Sequence, residues 1–181
     1  MNRRSSTPVQ LGDTTDLART TMPSPVGELT LLASPRGLRA VLWPGESPRS
    51  LDPVGADAGE PAAAAVLRAA VVQLGEYFAG ERRDFDVPLD PVGTEFQQAA
   101  WRELRRIPYG VTISYGEQAR RLGDVNKSRA VGAANGRNPI SIIVPCHRVV
   151  GSTGALTGFA AGVEAKAWLL RHEQGTQTLL D

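Results

Sequence analysis

Residues 140–151 have the sequence ISIIVPCHRVVG, and the rest of the chain is best interpreted outward from this stretch. The mostly apolar run at 140–144 predicts a buried strand. Pro145 has no backbone N–H and cannot continue a central ladder, so the strand is expected to end there. Residues 151–154, Gly-Ser-Thr-Gly, predict a loop. The sequence therefore places its one cysteine, Cys146, where a buried strand ends.

Cys146 has two interpretations. A lone cysteine beside apolar residues is commonly an inert core residue. His147 and Arg148 argue against this, because an apolar core would desolvate both groups without compensation. As a nucleophile, a thiol with a pKa of about 8.5 needs a base, which His147 can supply. Neighbouring strand residues point to opposite faces, so either the backbone turns here or a water carries the proton.

A histidine base needs a carboxylate to fix its tautomer. After Cys146 the side-chain carboxylates are Glu164, Glu173 and Asp181. We select Glu173, which ends the predicted last helix, 163–173.

Composition excludes several classes of protein. The chain has 181 residues, of which 41% are apolar and 22% charged, so it is expected to fold as one or two domains. No run approaches the roughly 20 apolar residues that span a bilayer, so no membrane partner is expected. One cysteine excludes an intramolecular disulfide framework and indicates the cytoplasm. With only two histidines, we expect no metal site and no cofactor.

The net charge of +1 hides a local excess. Residues 101–148 hold 9 Lys and Arg against 3 Asp and Glu, a local charge of +6. Such a block suits a polyanionic partner, although the solvated face of two arginine-rich helices would give the same count.

The first half predicts a small domain that mixes helix and strand. Residues 1–19 lack an apolar period and predict a flexible tail. Residues 26–34 and 37–43 predict a hairpin that is half buried at best. Residues 62–79 predict a helix, and 84–89 predict a short strand before a hinge.

The hinge separates an N-terminal domain, 20–90, from a C-terminal domain, 93–181. Residues 94–97 (TEFQ) and 114–117 (SYGE) match the capping-box pattern and predict two helix starts. A helix at 127–136 follows the second of these closely, as in a helix-turn-helix. The expected fold is α/β (α+β): a small N-terminal α/β domain with a β-hairpin, then a mainly helical, winged-helix-like domain with a helix-turn-helix.

The helix at 127–136 almost lacks bulky side chains. Its small residues are Ala130, Gly132, Ala133, Ala134 and Gly136. Either another surface approaches its backbone closely, or it packs tightly against a neighbouring helix.

The motifs of residues 93–175 resemble those of the O6-alkylguanine-DNA alkyltransferases, also called methylated-DNA–protein-cysteine methyltransferases. The most specific is PCHRV at 145–149, with Asn138-Pro139-Ile140 before it. IPYG at 107–110, SYG at 114–116, RAVG at 129–132 and LTGF at 156–159 occur in the family's order. The first half is similar only in outline.

The resemblance implies DNA repair by irreversible, single-turnover transfer of an alkyl (methyl) group to Cys146. The group would come from O6-alkylguanine in double-stranded DNA, flipped out through the minor groove. His147, a water and Glu173 would take the thiol proton, and Tyr115 would help to rotate the base and bind guanine N3. Arg129 would fill the gap in the duplex. The other residues implied to contact DNA are Tyr115, Ala130, Gly132 and Ala133.

The resemblance also implies an active-site loop, tied to the recognition helix by Asn138 and carrying Arg148, and an alkyl pocket. The implied pocket residues are Pro145, Val149, Phe159, Ala160 and Ala161. The family more often has Tyr and Gly at positions 159 and 161, so the alkyl size that this pocket accepts is left open.

Two other functions compete. A non-catalytic, alkyltransferase-like lesion binder would lack the reactive cysteine, so Cys146 counts against it. A cysteine-dependent hydrolase or redox switch would carry its basic helices by coincidence. For the repair function we expect a monomer in the cytoplasm, associated with the nucleoid, and leave cooperative assembly on DNA open.

Overall fold

The computed structural model describes residues 9–46 and 61–178. Its elements are, in chain order, β1 (Ala18–Met22), β2 (Leu29–Ser34), β3 (Gly37–Leu42), α1 (Pro61–Phe78), α2 (Glu95–Leu104), β4 (Ile113–Ser114), α3 (Tyr115–Arg121), α4 (Ser128–Gly136), β5 (Val149–Val150) and α5 (Val163–Thr178). Short 3₁₀ turns span Val125–Lys127 and Cys146–Arg148. A small antiparallel sheet with one helix precedes a mainly helical half, which confirms the predicted mixed α/β class.

The N-terminal sheet has the strand order β1-β2-β3, and all neighbours are antiparallel. Its β2–β3 pair is the predicted hairpin, with Ser34 opposite Gly37 at the turn. The hairpin is almost completely buried, so the prediction of a half-buried pair is wrong. The reason is that both faces are covered: Leu31 joins α1 in the main core, whereas Leu32 belongs to a second apolar cluster on the other face.

The predicted flexible tail, residues 1–19, is wrong for the part that the structure describes. β1 begins within it, and Leu11 and Leu17 are 4% and 2% exposed in the second cluster. The buried Arg39 of β3 donates a hydrogen bond to the carbonyl of Leu11. The pattern missed this segment because two apolar side chains, without a period, suffice to cover the outer face of the sheet. Residues 1–8 lie outside the described residues.

Residues 84–89 do not form the predicted strand and make only an isolated bridge between Leu89 and Leu38. The N–H of Leu38 donates to the carbonyl of Pro88 at 2.8 Å. The N–H of Asp90 returns a bond to the carbonyl of Leu38 at 2.8 Å, but Pro88 has no N–H with which to extend the ladder. A Cβ on Gly37 would lie 2.7 Å from the same carbonyl oxygen, so this close approach requires glycine.

The helices of the second half begin where their caps predict. Thr94 accepts a hydrogen bond from the N–H of Gln97, whose side chain accepts one from the N–H of Thr94, which is a complete capping box for α2. Ser114 caps α3 by accepting from the N–H of Glu117 at 3.0 Å. The Glu117 carboxylate pairs with two arginines of its own helix, so the second predicted box is only half formed.

The helices α3 and α4 form the predicted helix-turn-helix. Between them the chain reverses at Gly123, whose φ is 98°. Two hydrogen bonds of 3.1 and 2.7 Å join the buried side chains of Gln118 and Asn135. The indole N–H of Trp101 on α2 donates to the carbonyl of Ala134 at 2.9 Å. These buried bonds fix one face of α4 and leave the opposite face outward.

The short parallel pair β4–β5 positions the site. It aligns Ile113 with Val149, so the start of α3 lies beside the chain that follows Cys146. Tyr115, the first residue of α3, is thereby held next to the cysteine segment. The last helix, α5, packs on that segment and continues to Thr178, beyond its predicted end.

Candidate active site

The predicted buried strand at 140–144 is wrong, although the segment is buried. The N–H of Val144 donates to the carbonyl of Ile140 at 2.9 Å, and Ile142 has a φ of 76°, which is rare for a β-branched residue. The side chain of Asn138 holds the turn: its Nδ2 donates to the carbonyl of Val144 at 2.8 Å, and its Oδ1 accepts from the N–H of Ile140 at 3.0 Å. An apolar run indicates that a segment is buried, but it cannot by itself distinguish a strand from a buried turn.

The backbone turns at the cysteine, which is one of the two possibilities left open by the sequence. Cys146 begins a 3₁₀ turn that ends at Arg148. Within the described residues, no hydrogen bond joins the thiol to the His147 ring, because Nε2 of that ring contacts Glu173 and Nδ1 has no partner. The turn therefore does not create a direct hydrogen bond through which the thiol proton could pass to the imidazole.

Cys146 is 7% exposed. Burial raises its pKa, because a thiolate is poorly solvated there. Hydrogen bonds with Asn138 and Ser141 and the positive charge of Lys166 act in the opposite direction without cancelling this effect. The thiol is consequently neutral at pH 7, and it becomes a nucleophile only with a base.

His147 has the arrangement that a base requires. Its ring is fully buried, and Nε2 lies 2.7 Å from Oε1 of Glu173. Burial lowers the pKa of His147 against the opposite pull of the Glu173 carboxylate, so the ring is neutral at pH 7. A neutral ring that donates its Nε2–H to Glu173 keeps the lone pair of Nδ1 available for a proton.

Glu173, the carboxylate selected from the sequence, lies at the centre of a wider network. Arg148 donates to it from Nε and Nη2, each at 3.0 Å. The hydroxyl of Tyr77 on α1 donates at 2.9 Å, and the N–H of Gly110 donates at 3.1 Å. Burial alone would raise the pKa of Glu173, but hydrogen bonds and charge from His147 and Arg148 bring it well below its usual range. Glu173 is therefore ionised and fixes the imidazole.

This network makes folding stability dependent on pH. Because the pKa of His147 is lower in the folded protein, the unfolded chain binds the proton first as the pH falls below about 6.5. The free energy of unfolding should decrease between pH 7 and 5, by at most about 1.4 kcal/mol per pH unit from this group. Urea unfolding at several pH values measures the slope. It should flatten in His147→Gln and persist in His172→Gln, and an unchanged slope in His147→Gln would contradict the assignment.

Tyr115 and Lys166 form a second polar group near the thiol. The Tyr115 hydroxyl donates to the carbonyl of Thr157 at 3.0 Å, and Nζ of Lys166 lies 3.5 Å from that hydroxyl. Lys166 is 1% exposed and donates to the carbonyls of Val149 at 2.6 Å and Thr157 at 3.0 Å. Lys166 thus connects Tyr115 to the loop that follows the cysteine segment.

The sequence interpretation missed Lys166 and Tyr77. For Lys166 a signal existed: with Leu169 and Glu173 it lies at three- and four-residue spacing, on the buried face of α5. For Tyr77 no local signal existed, since its hydroxyl reaches a carboxylate 96 residues further along the chain.

The five predicted pocket residues have different surroundings. Pro145 and Val149 are buried, Phe159 and Ala161 are half-buried against the main core, and Ala160 is exposed. The Phe159 loop also touches the N-terminal half. Trp43, immediately after β3, meets the Phe159 ring edge to face, with 5.5 Å between centroids.

The helix α4 presents the predicted DNA-contacting residues outward. Arg129, Ala130 and Ala133 are exposed, and Gly132 is half-buried. A Cβ on Gly132 would lie 3.8 Å from the Tyr115 ring, so this face of the helix adjoins that side chain. Of the two interpretations of the small residues, the exposed positions favour approach by another surface.

Among residues 9–46 and 61–178, no helix is both long and apolar enough to cross a membrane. Within the same ranges, no three His, Cys, Asp or Glu side chains cluster in a way that could hold a metal ion.

The fold and the site define a class: a helix-turn-helix protein whose only cysteine adjoins a buried histidine–glutamate–arginine network. Residues 95–175 match the family model described as "6-O-methylguanine DNA methyltransferase, DNA binding domain". Residues 17–91 match the model described as "6-O-methylguanine DNA methyltransferase, ribonuclease-like domain". The chain belongs to the 6-O-methylguanine DNA methyltransferase family, which confirms the resemblance drawn from its motifs.

Individual relatives support the same family assignment. A methylated-DNA–protein-cysteine methyltransferase of Mycobacterium bovis is 48% identical over 160 residues, covering 85% of this chain and 90% of the relative. One of Methanosarcina acetivorans is 57% identical over 107 residues, or 59% of this chain and 69% of the relative. The crystal structure of Mycobacterium tuberculosis OGT in complex with DNA has a TM-score of 0.75 at 43% identity, covering 91% of this chain and 99% of that one.

Proposed function

We propose that this protein repairs DNA by transferring the alkyl group, chiefly methyl, from O6 of guanine in double-stranded DNA to Sγ of Cys146. The observation that carries the proposal is the buried thiol next to a neutral histidine whose tautomer Glu173 fixes. The family and the names of the relatives support the same activity. Each molecule acts once.

The first step is removal of the thiol proton. A water between Sγ of Cys146 and Nδ1 of His147 relays the proton to the ring, which becomes an imidazolium. Glu173 stabilises the new charge through its 2.7 Å contact with Nε2. Because Arg148 holds the same carboxylate by two hydrogen bonds, Glu173 stays ionised and in place.

The second step is displacement at the alkyl carbon. The thiolate of Cys146 attacks this carbon, the S–C bond forms, and the C–O6 bond breaks with its electron pair passing to O6. The Tyr115 hydroxyl, which donates to a backbone carbonyl in this structure, would instead donate to N3 of the departing guanine. The product is a thioether, which the described side chains have no means to hydrolyse, so transfer is irreversible.

Access to the lesion requires base flipping. The exposed small residues of α4 allow its backbone to approach the minor groove, and Arg129 is exposed on the same helix. We assign Arg129 to the gap left by the extruded nucleotide, where it would offset part of the unstacking cost. Asn138, which holds the turn before Cys146, follows α4 by two residues and so couples the helix to the active-site loop.

The repair function also suggests where and how the protein works. Its substrate is chromosomal DNA, so we place it in the cytoplasm in association with the nucleoid. The site is complete within one chain, so a monomer suffices for the chemistry, and binding densities on long duplexes would show whether molecules assemble cooperatively.

The experiment that tests the function uses duplex DNA carrying O6-methylguanine labelled in its methyl group. Label should move from DNA to protein and stop at one label per chain. Binding without transfer would indicate a lesion-binding protein, and more than one product per chain would indicate a turning-over hydrolase. Either result would contradict the proposal.

Replacing Arg129 with alanine should slow repair of duplex DNA by about 10- to 100-fold. Unstacking a base costs a few kcal/mol, and without the side chain that fills the gap, part of this cost is no longer offset. Reaction with free O6-methylguanine base should change little, since nothing is flipped. Single-turnover rates on both substrates measure the difference. Arg68→Ala, an exposed arginine on α1, is the matched control. Equal losses on duplex and free base would contradict the role.

Ala161 should restrict the alkyl pocket. Its methyl group is half-buried in the loop that carries Phe159, and overpacking of this kind costs about 1–3 kcal/mol. Ala161→Gly should therefore raise the rate of benzyl transfer by about 10- to 100-fold and leave methyl transfer nearly unchanged. Ala155→Gly, at an exposed position of the preceding loop, controls for general loosening. An unchanged benzyl-to-methyl ratio would show that position 161 does not shape the pocket.

A further inference from the structure

A separate cavity of about 80 Å³ lies beside the catalytic segment. Pro145 and Arg148 form one wall, Arg83 and Asp84 a second, and Arg105 at the end of α2 a third. Cys146 does not line it, whereas Pro145, one of the predicted alkyl-pocket residues, does. Its walls join three stretches of chain that are far apart in sequence and carry three arginines.

Arg83, one of the arginines that line this cavity, has an unmet hydrogen bond. Its Nη2 atom is buried and has no hydrogen-bond partner among the described residues. The guanidinium lies over the Tyr109 ring, 5.3 Å from its centroid. A ring face attracts the charge, but it does not replace an oxygen acceptor for a buried N–H. An anion in the cavity would supply that acceptor.

The charges around the cavity leave an excess of positive charge. Arg148 is paired with Glu173, whereas Arg105 is exposed and has no ion pair among the described residues. Asp84 is also exposed and pairs with neither Arg83 nor Arg105. The guanidinium groups of Arg83, Arg105 and Arg148 therefore outnumber the carboxylates of Asp84 and Glu173 by one, which leaves a net charge of +1.

We propose that this cavity is a binding site for the tetrahedral oxyanion of a phosphate group, held by Arg83 and Arg105 beside Arg148. The planar fork of a guanidinium matches two oxygens of a phosphate, and the two arginines without ion pairs provide two such forks. The cavity accommodates one small oxyanion and not a nucleotide. The group can come from inorganic phosphate or from a DNA backbone. The site does not depend on alkyl transfer.

The first arm of the test uses inorganic phosphate and the full, unalkylated chain. At constant ionic strength, replacing chloride with phosphate should raise Tm, and calorimetric titration should give one site per chain. Arg83→Gln and Arg105→Gln should each weaken phosphate binding at least tenfold and suppress the rise in Tm. Arg105 is exposed, so its variant should fold normally even if Arg83→Gln does not. The control is Arg68→Gln, an exposed arginine away from the cavity, which should behave as wild type.

The second arm uses unmodified duplex DNA. If the phosphate belongs to DNA, the double variant should bind duplex more weakly, and the slope of log K against log salt should become shallower by about 1 per lost contact. If it is free phosphate, duplex binding should not change. If the wild type and the double variant respond in the same way to phosphate and to duplex DNA, the proposed site is wrong. Methyl transfer from the free O6-methylguanine base, which carries no phosphate, should be unaffected by Arg105→Gln in phosphate-free buffer. This measurement keeps the result separate from the proposed repair function.

Discussion

Replacing Cys146 with serine is expected to abolish alkyl transfer, with a loss of more than about 10⁴-fold, the scale seen when an enzyme loses its nucleophile. A serine hydroxyl is far less acidic than a thiol, and His147, whose pKa burial already lowers, cannot generate an alkoxide in useful amounts. The change removes little volume. The measurement is single-turnover transfer of labelled methyl from duplex DNA.

The same variant should still fold and bind DNA. Asn138 and Ser141, whose side chains lower the pKa of the thiol by hydrogen bonding, can also hydrogen-bond with a hydroxyl. The exposed face of α4 lies outside the substituted segment. A variant that kept transferring label would show that Cys146 is not the acceptor, and an equal loss of DNA binding would show a structural defect instead.

Replacing Glu173 with glutamine should have the second largest effect, on both stability and rate. The glutamine would leave the buried Arg148 without its counter-charge and place an N–H₂ group among donors. Breaking a buried pair in this way costs about 3–5 kcal/mol, which lowers Tm by about 6–20 °C for a chain of this size. Transfer should slow by about 10²- to 10⁴-fold, because His147 loses the group that fixes its tautomer.

Two controls separate the effects at Glu173. Glu164→Gln changes an exposed carboxylate on the same helix and should alter neither Tm nor rate. Tyr77→Phe removes one hydrogen bond of 2.9 Å to Glu173, but leaves the contacts with His147 and Arg148, so it should cost stability with little loss of rate. A Glu173→Gln protein that transfers methyl at the wild-type rate well below its Tm would remove Glu173 from the mechanism.

Two helix starts and one helix end were predictable because their signals are local. The capping box at Thr94 and Gln97, the cap at Ser114 and the left-handed Gly123 each involve residues within one turn of the chain. The hairpin was predictable for the same reason, since its turn pairs Ser34 with Gly37. These elements are consistent with the backbone conformations that their own residues prefer.

Burial and strand pairing were less predictable, because they depend on what covers a segment. The hairpin is buried because Leu11 and Leu17 cover its outer face, and no sequence pattern near residues 29–42 indicates that cover. The run at 140–144 is buried as a turn held by Asn138, where the apolar pattern indicated a strand. Burial was inferred correctly there, and backbone shape was not.

The sequence by itself determined the family, the single possible thiol and the histidine beside it, because these depend on residue identity and spacing. From the three carboxylates after Cys146, which are Glu164, Glu173 and Asp181, the sequence interpretation selected Glu173 as the partner of His147. Only the tertiary structure decided that Glu173 lies 2.7 Å from His147. Likewise, only the fold brought Tyr77 from α1 onto the same carboxylate, 96 residues away. The physical reason is that hydrogen bonds act over about 3 Å. Residues so distant in the chain come within that range only when both halves pack around one core.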